Sequence, residues 1–321
     1  MQKHISNIWI LLLSLTLLGG CAELELASHM AKQSPIPASS KSKGTFKVGN
    51  PYKIAGKTYY PRETYNFEQT GIASWYGPNF HGKQTANGET FDMYELTAAH
   101  KTLQMPSLVR VTNLENGRSI VVRINDRGPF SKGRIIDLSK RGAELLGFKN
   151  QGTAKVKLQL LSRESRQIAE VARRGQSTRG MEVAMNQRGY RPVSHRPAPT
   201  RPKPAVSKNA PVPTVEVAGI QSSVPGHVSQ GRFYPDPVVQ QVPVQPTSIF
   251  VQAGSFGNSE NAQRFASSLR TVGNAHVQPA LVKGRNFYRV RIGPLDSVPE
   301  ADGVLTRLSS IGQHDAIVVV D

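Results

Sequence analysis

The stretch TANGETFDMYELTAAHKTL, residues 85–103, places Glu89, Asp92 and His100 within a dozen positions. A further carboxylate, Asp126, closes the apolar run SIVVRIND and is followed by Arg127-Gly128-Pro129. Carboxyl and imidazole groups are the side chains that most readily exchange protons with a reacting bond, so this set is suited to general acid–base work. Each residue also has a plainer reading. A histidine on a short element more often serves as a structural hydrogen-bond partner, and an aspartate before Gly-Pro can simply accept backbone N–H groups in a turn. His81 adds another imidazole, but no His, Cys or Asp here has the spacing of metal ligands, so neither a metal nor a cofactor is expected.

The elements that must position these residues are bounded by composition. The chain has 321 residues, 38% apolar and 7% aromatic, with a formal net charge of +18. That apolar content is low for a fully folded chain of this length, and the charge calls for an anionic partner. Lys3 and His4 precede an apolar run, Ile8–Leu18, which is about half of the ~20 residues a spanning helix requires. Residues 1–20 therefore read as a removed export signal. Cys21, the one cysteine, rules out an intrachain disulfide. The string LLGGC resembles a bacterial lipobox, which implies lipidation of Cys21; Ala22 after it favours the outer membrane by resemblance to the sorting rule. An exported protein rarely meets nucleic acid, so nucleic acid is not the expected partner.

Residues 21–45 read as a flexible tether, and residues 46–162 as the first folded unit, with its core from about 70 to 162. Strand-like runs lie at GIASWYG, SLVRVTNL, SIVVRIND and AKVKLQLL, with a hairpin turn at Leu114–Gly117. ELTAAHKTL and LSKRGAELLG read as short helices, the latter with Ser139 as N-cap and Gly147 as stop. Short strands with few helices point to a small β-barrel. Residues 163–246 read as a basic, proline-rich disordered linker: Arg163–Ala210 holds eleven Lys/Arg against three Glu, and Pro192–Pro246 holds twelve of 22 prolines. From 247 to 321 the pattern is β-α-β-β-α-β, the ferredoxin-like order. That order is shared with RNA-binding modules, but RNFYRVRIGPL lacks their aromatic signature.

FVQAGSF and YRVRIGPL instead resemble the SPOR domain, a family that binds glycan strands stripped of their stem peptides. The resemblance implies binding roles for Gln252, Gly254, Phe256, Tyr288, Arg289 and Arg291, the two arginines alternating onto a face opposite the core residues Val251, Val290 and Ile292. GIASWYGPNFHGKQTANGETFDMYELTAAHKTL, then VRVTNLENGRSIVVRINDRGPF and RIIDLS, closely resemble the rare lipoprotein A family. That resemblance implies a six-stranded double-psi β-barrel and a septal lytic transglycosylase with peptidoglycan glycan strands as substrate and division proteins as partners.

Such an enzyme breaks the bond between N-acetylmuramic acid and N-acetylglucosamine without water. An acid protonates the leaving oxygen, and its conjugate base takes the C6 hydroxyl proton as a 1,6-anhydro ring closes, so one acid/base group suffices in principle. By resemblance to related barrels Asp126 is the first choice for that acid. The resemblance maps Glu89, Asp92 and His100 onto positions linked to activity: Asp92 and His100 are then close partners of Asp126, and Glu89 is the weaker catalytic candidate, which could instead contact substrate. Trp75 and Tyr76 could stack on sugar faces, although core packing suits Trp75 equally. Arg123 and Arg127 could hold the lactyl carboxylate of muramic acid. Two other readings stay open. One is a wall-binding protein that grips glycan without cleaving it; the other is a hydrolase using Asp92 and Asp126 as separated carboxylates.

Overall fold

A computed structural model describes residues 43–54, 56–187, 226–229, 232–282 and 284–321. The export signal, Cys21, nearly all of the tether and much of the basic stretch lie outside the described residues.

Apolar residues at alternating or continuous spacing form the strands of the first unit. A small hairpin, β1 (Tyr52–Ile54) and β2 (Lys57–Tyr59), precedes β3 (Glu68–Trp75), β4 (Thr97–His100), β5 (Ser107–Asn113), β6 (Arg118–Asp126), β7 (Arg134–Leu138) and β8 (Ala154–Leu160). The last six pair in the order β6-β4-β7-β3-β8-β5, and β5 returns to β6, so the sheet closes into a six-stranded mixed barrel. Closure removes unpaired edges. Two pairs, β3–β7 and β4–β6, are parallel; the others are antiparallel. The interior holds Val109, Val111, Ile120, Val122, Ile124, Ile136, Leu138, Val156 and Leu158, all essentially without solvent contact. Gly117, at φ 74°, supplies the left-handed residue of the turn between β5 and β6.

The helix expected at LSKRGAELLG forms as α1 (Lys140–Leu146). The Ser139 hydroxyl accepts from the Gly142 N–H at 3.1 Å, and Gly147 ends the helix at φ 78°. The helix expected at ELTAAHKTL does not form. Its central residues are β4, inserted between β6 and β7 with all four residues buried. Two strand partners satisfy this backbone completely, and that tertiary pairing overrides the local helix preference of Thr-Ala-Ala.

The expected start of the linker at residue 163 is also corrected. α2 (Ser162–Arg173) and α3 (Met181–Gln187) follow β8 directly. Ile168 of α2 packs with Leu108 and Val121, and Asn186 of α3 exchanges hydrogen bonds with the backbone of Val121. Polar composition hid a narrow apolar stripe, Ile168, Ala169 and Ala172, which is enough to seat α2 on the barrel. Short strands β9 (Gly226–Ser229), β10 (Arg232–Pro235) and β11 (Gln240–Gln241) lie in the remainder, β11 adding to the edge of β6.

The C-terminal unit keeps the expected order: β12 (Ile249–Phe256), α4 (Ser259–Ser268), β13 (Ala275–Val282), β14 (Arg285–Leu295), α5 (Val298–Ser310) and β15 (Ile317–Val320). The antiparallel sheet runs β13-β14-β12-β15. Ala262, Ala266, Val304 and Leu308 bring the two helices onto one face of it. It rests against the barrel through Arg134, paired with Asp302 at 2.6 Å, and through Thr70, whose hydroxyl donates to the Val320 carbonyl.

If α2 is part of the folded barrel, Ile168→Ala should cost about 2–4 kcal/mol, the range for emptying a buried aliphatic site. Urea unfolding followed by tryptophan fluorescence would measure this, and an unchanged midpoint would place α2 outside the cooperative unit.

Candidate active site

The site is assembled around Arg123, in the middle of β6 and 0% exposed. Its guanidinium meets three carboxylates: Glu89, Glu95 at 3.2 Å and Glu182 of α3 at 3.0 Å. Asn87 and Asn125 each donate to Glu89 at 3.0 Å, and Arg179 pairs with the other Glu95 oxygen at 2.8 Å. Burial opposes the charge on Arg123, yet Glu182, Glu89 and Glu95 together hold its pKa above the ordinary value. Burial likewise opposes the charge on Glu89, but Arg123 and the two asparagines keep that carboxyl below its usual range. Glu89 and Arg123 are therefore not substrate contacts. They fasten the loop of residues 84–95 to the barrel.

That fastening aims one backbone donor at Asp126. The Ala86 N–H reaches Asp126 Oδ1 at 2.8 Å; the Arg127 N–H reaches the same oxygen at 2.8 Å, and the Tyr76 hydroxyl donates to Oδ2 at 3.0 Å. Asp126 is 8% exposed and receives hydrogen bonds from three separate segments. Tyr76 is buried against Phe91, with ring centroids 4.8 Å apart. Burial, and then the charges of Asp126 and Asp137, hold its phenol well above the ordinary value, so it stays a neutral donor. It is not an open sugar platform. Trp75 is not one either: its indole N–H donates to the Lys149 carbonyl at 3.1 Å and its ring packs on the barrel core.

The partnership expected between His100 and Asp126 does not appear in this arrangement. Ala99 and His100 are consecutive in β4, so the strand that places Ala99 beside Asp126 turns the imidazole to the other side of the sheet. There the ring meets Phe67 edge-on at 5.1 Å, and Nδ1 accepts the N–H groups of Thr102 and Leu103 at 3.2 and 3.1 Å. Two donors on Nδ1 assign the proton to Nε2. Burial, followed by Lys101 and Arg127, pushes the imidazole down to about 3, so it is neutral at physiological pH. Arg127 donates to the carbonyls of Leu103, His100 and Val48, so its guanidinium serves the loop backbone instead of a lactyl group.

Asp92 sits in a second cluster. It accepts from the Tyr94 N–H at 3.0 Å and from the Tyr234 hydroxyl at 2.5 Å, and its Oδ1 lies 3.9 Å from His81. Three residues near Asp126 carried no assignment from the sequence. Asp137 of β7 acts electrostatically on Tyr76 and is itself acted on by Asp126. Phe80, 39% exposed, lies edge-on to Tyr76 at 5.4 Å, and Phe130, 37% exposed, packs against Tyr52 and Tyr59 at about 6 Å. Both rings are exposed aromatics on segments next to those that carry Tyr76 and Asp126. Their signal was an aromatic beside a turn, in PNFHG and DRGPF.

The lytic transglycolase family model matches residues 68–158, and the SPOR domain model matches residues 245–320. The endolytic peptidoglycan transglycosylase RlpA of Pseudomonas aeruginosa is 36% identical over 308 residues, covering 89% of this chain and 80% of its own length. The chain belongs to the RlpA family. A Neisseria meningitidis member is 58% identical over 121 residues, 37% of this chain and 51% of that protein. The solved SPOR domain of the Pseudomonas aeruginosa RlpA aligns at 20% identity with a TM-score of 0.21, covering 22% of this chain and 96% of that domain.

In the SPOR unit of this RlpA family member, Gln252 and Arg291 are register partners on β12 and β14, as are Phe256 and Tyr288. Phe256 packs on Phe265 at 5.3 Å, and Tyr288 lies against the core. Gly254 leaves room for Phe256, whose ring would stand 3.0 Å from an added Cβ. Arg289 is half-buried. Arg291 departs from the expected exposed guanidinium: it is buried, held by the Asp321 carboxylate and lying 5.7 Å from the Phe250 ring.

Arg123→Met should destabilise the barrel by about 3–5 kcal/mol, because three buried carboxylates lose their cation. The sign of its pH dependence follows from Glu89. With its folded pKa below 4.5, Glu89 contributes stability that is complete above about pH 5 and lost as pH falls through the lowered value. The variant's deficit should therefore shrink in acid. A deficit that stays constant between pH 7 and pH 3 in thermal unfolding would separate the cost from charge burial.

Proposed function

We propose that the protein is a periplasmic peptidoglycan lytic transglycosylase in which Asp126 receives the proton released as the anhydro ring closes. The observation that carries this is the Asp126 carboxylate, held by donors from three segments at the end of β6. As the C6 hydroxyl oxygen of the muramic residue bonds to C1, its proton passes to Asp126, and the glycosidic oxygen departs with a proton supplied from within the site. No water enters the product. Tyr76 and the Ala86 N–H fix the carboxylate, and such preorganisation lowers the cost of reaching the transition state. Phe80 and Phe130 offer apolar faces to neighbouring sugars.

The finer part of the proposal concerns where and on what this occurs. The SPOR unit directs the enzyme to glycan strands lacking stem peptides at the division septum, through Gln252, Tyr288 and Arg289. Cys21, lipidated, holds the chain at the periplasmic face of the outer membrane.

The test is digestion of purified glycan strands, with and without stem peptides, followed by mass spectrometry. Products ending in 1,6-anhydromuramic acid are expected from naked strands, and Asp126→Asn should lower their release by at least about a hundredfold, the scale of a lost acid/base group. Products heavier by one water would mean hydrolysis, and binding without cleavage would leave a glycan-gripping protein.

A further inference from the structure

The three strands β6, β4 and β7 lie side by side, and their registers align three residues in one row. Asp126 is opposite Ala99, and Ala99 is opposite Asp137. Paired residues of neighbouring strands share a face, so both carboxylates stand on the same side of the sheet, two strand spacings or about 9.5 Å apart at Cα. On the strand between them is Ala99, buried with Tyr76 and Phe91. Both carboxylates act on the phenol of Tyr76, and each lies within the other's field.

Their surroundings differ in kind. Asp126 accepts three hydrogen bonds, two of them from fixed backbone N–H groups. Asp137 has the Ser74 hydroxyl, from its register partner on β3, as its side-chain hydrogen-bond partner. Its Oδ1 is enclosed and meets no donor or acceptor among the described residues. A buried carboxyl oxygen with no partner is costly as an anion and natural in an acid that keeps its proton. Arg134, on the same strand, is the nearby cation, but its guanidinium is committed to Asp302 at 2.6 and 3.0 Å. On β4 the neighbour is Ala99, and the imidazole of His100 is neutral and faces away.

We infer that Asp137 is the second carboxyl of the active site and the donor of the proton that leaves with the glycosidic oxygen. The inference rests on Asp126 being the acceptor. Asp137 gives its proton to the glycosidic oxygen as that oxygen's bond to C1 breaks. The C6 oxygen bonds to C1 and gives its proton to Asp126. Return of that proton from Asp126 to Asp137 by way of solvent closes the cycle, with one bond broken, one formed and no net proton consumed. Burial, the largest cause, pushes the Asp137 carboxyl up to about 6; the Ser74 hydroxyl is the main opposing contact, the charge of Asp126 adds to the rise, and Arg134 opposes it least. Asp137 therefore still holds its proton in mildly acidic medium, where an unperturbed aspartate has lost it.

The experiment follows release of anhydro ends from naked strands by the full chain between pH 4.5 and pH 8, for the wild type and for Asp137→Asn, Ser74→Ala and Asp126→Asn. The wild-type kcat should fall on the alkaline side with a midpoint near pH 6. Asp137→Asn should lose that limb and about a hundredfold or more in kcat with KM little changed. Because the folded pKa of Asp137 lies above its unfolded value, its stabilising contribution is full below pH 3.8 and lost as pH rises through about 6. The asparagine variant should therefore unfold at an equal or higher temperature than the wild type at pH 8, which shows that it is folded. Ser74→Ala removes a contact that lowers the Asp137 pKa, and so should move the alkaline limb to higher pH with both carboxyls in place. An alkaline limb that stays put in Ser74→Ala, or wild-type kcat in Asp137→Asn, overturns the assignment. Full cleavage by Asp126→Asn would overturn instead the role of Asp126 on which it rests.

Discussion

A guanidinium with no access to water cannot be left unpaired, and the burial of Arg123 sets the terms for everything around it. Three glutamates from two regions of the chain converge on it: Glu89 and Glu95 from the loop after β3, and Glu182 from α3. None of these elements could leave without exposing an uncompensated charge in a dry interior. A single side chain on β6 thus ties down the loop that approaches Asp126 and the helix that covers the outer face of β6. Desolvation offsets most of the Coulombic gain of the ion cluster, as for buried pairs generally. The cluster's consequence is geometric, because it fixes the Ala86 N–H at the right place.

Given that anchor, the barrel does the positioning. Closure leaves each strand with two neighbours, and a register shift of one residue would turn every side chain of a strand to the opposite face. The row Asp126–Ala99–Asp137 is set by this pairing, with an irregularity between Ala98 and Ala99 that brings Asp126 opposite Ala99. A flexible loop could bring two carboxylates together, but it could not keep one among three donors and the other beside a single hydroxyl with its Oδ1 left without a partner. Two identical side chains take different protonation behaviour from such a difference in environment, which is how acid and base roles are generally divided between like groups.

Much of this was legible in the sequence, and the losses have physical causes. β3, β5, β6 and β8 follow from apolar runs bounded by turn residues, and the β-α-β-β-α-β order of the C-terminal unit from periodicity alone. β4 was not legible, because Thr-Ala-Ala-His has no strand signature and becomes a strand only through its two partners. α2 and α3 were hidden by basic composition: the residues that bury them are few, and Glu182 and Asn186 hold α3 by polar contacts that no apolar pattern announces. Arg123 and Glu89 read from the sequence as site residues open to substrate, because charged residues in a strand and a loop are usually exposed. Only the fold reveals that they face each other in the interior. Asp137 lay in plain view in RIIDLS, where its neighbours made it one polar residue of an ordinary strand.

His100 shows how little a residue's identity says about its task once its surroundings are known. Both backbone donors meet its Nδ1, and burial pushes its pKa down to about 3, so the imidazole is neutral and turned away from Asp126. What it can do is hold the turn of residues 101–103, whose Leu103 carbonyl in turn receives Arg127. Arg127 is the residue whose own N–H reaches Asp126. The imidazole therefore acts on the site through backbone geometry, by the same route as Arg123 on the opposite side. Asp126 is approached from both directions by main-chain donors, each placed by a buried side chain that never needs to touch the sugar.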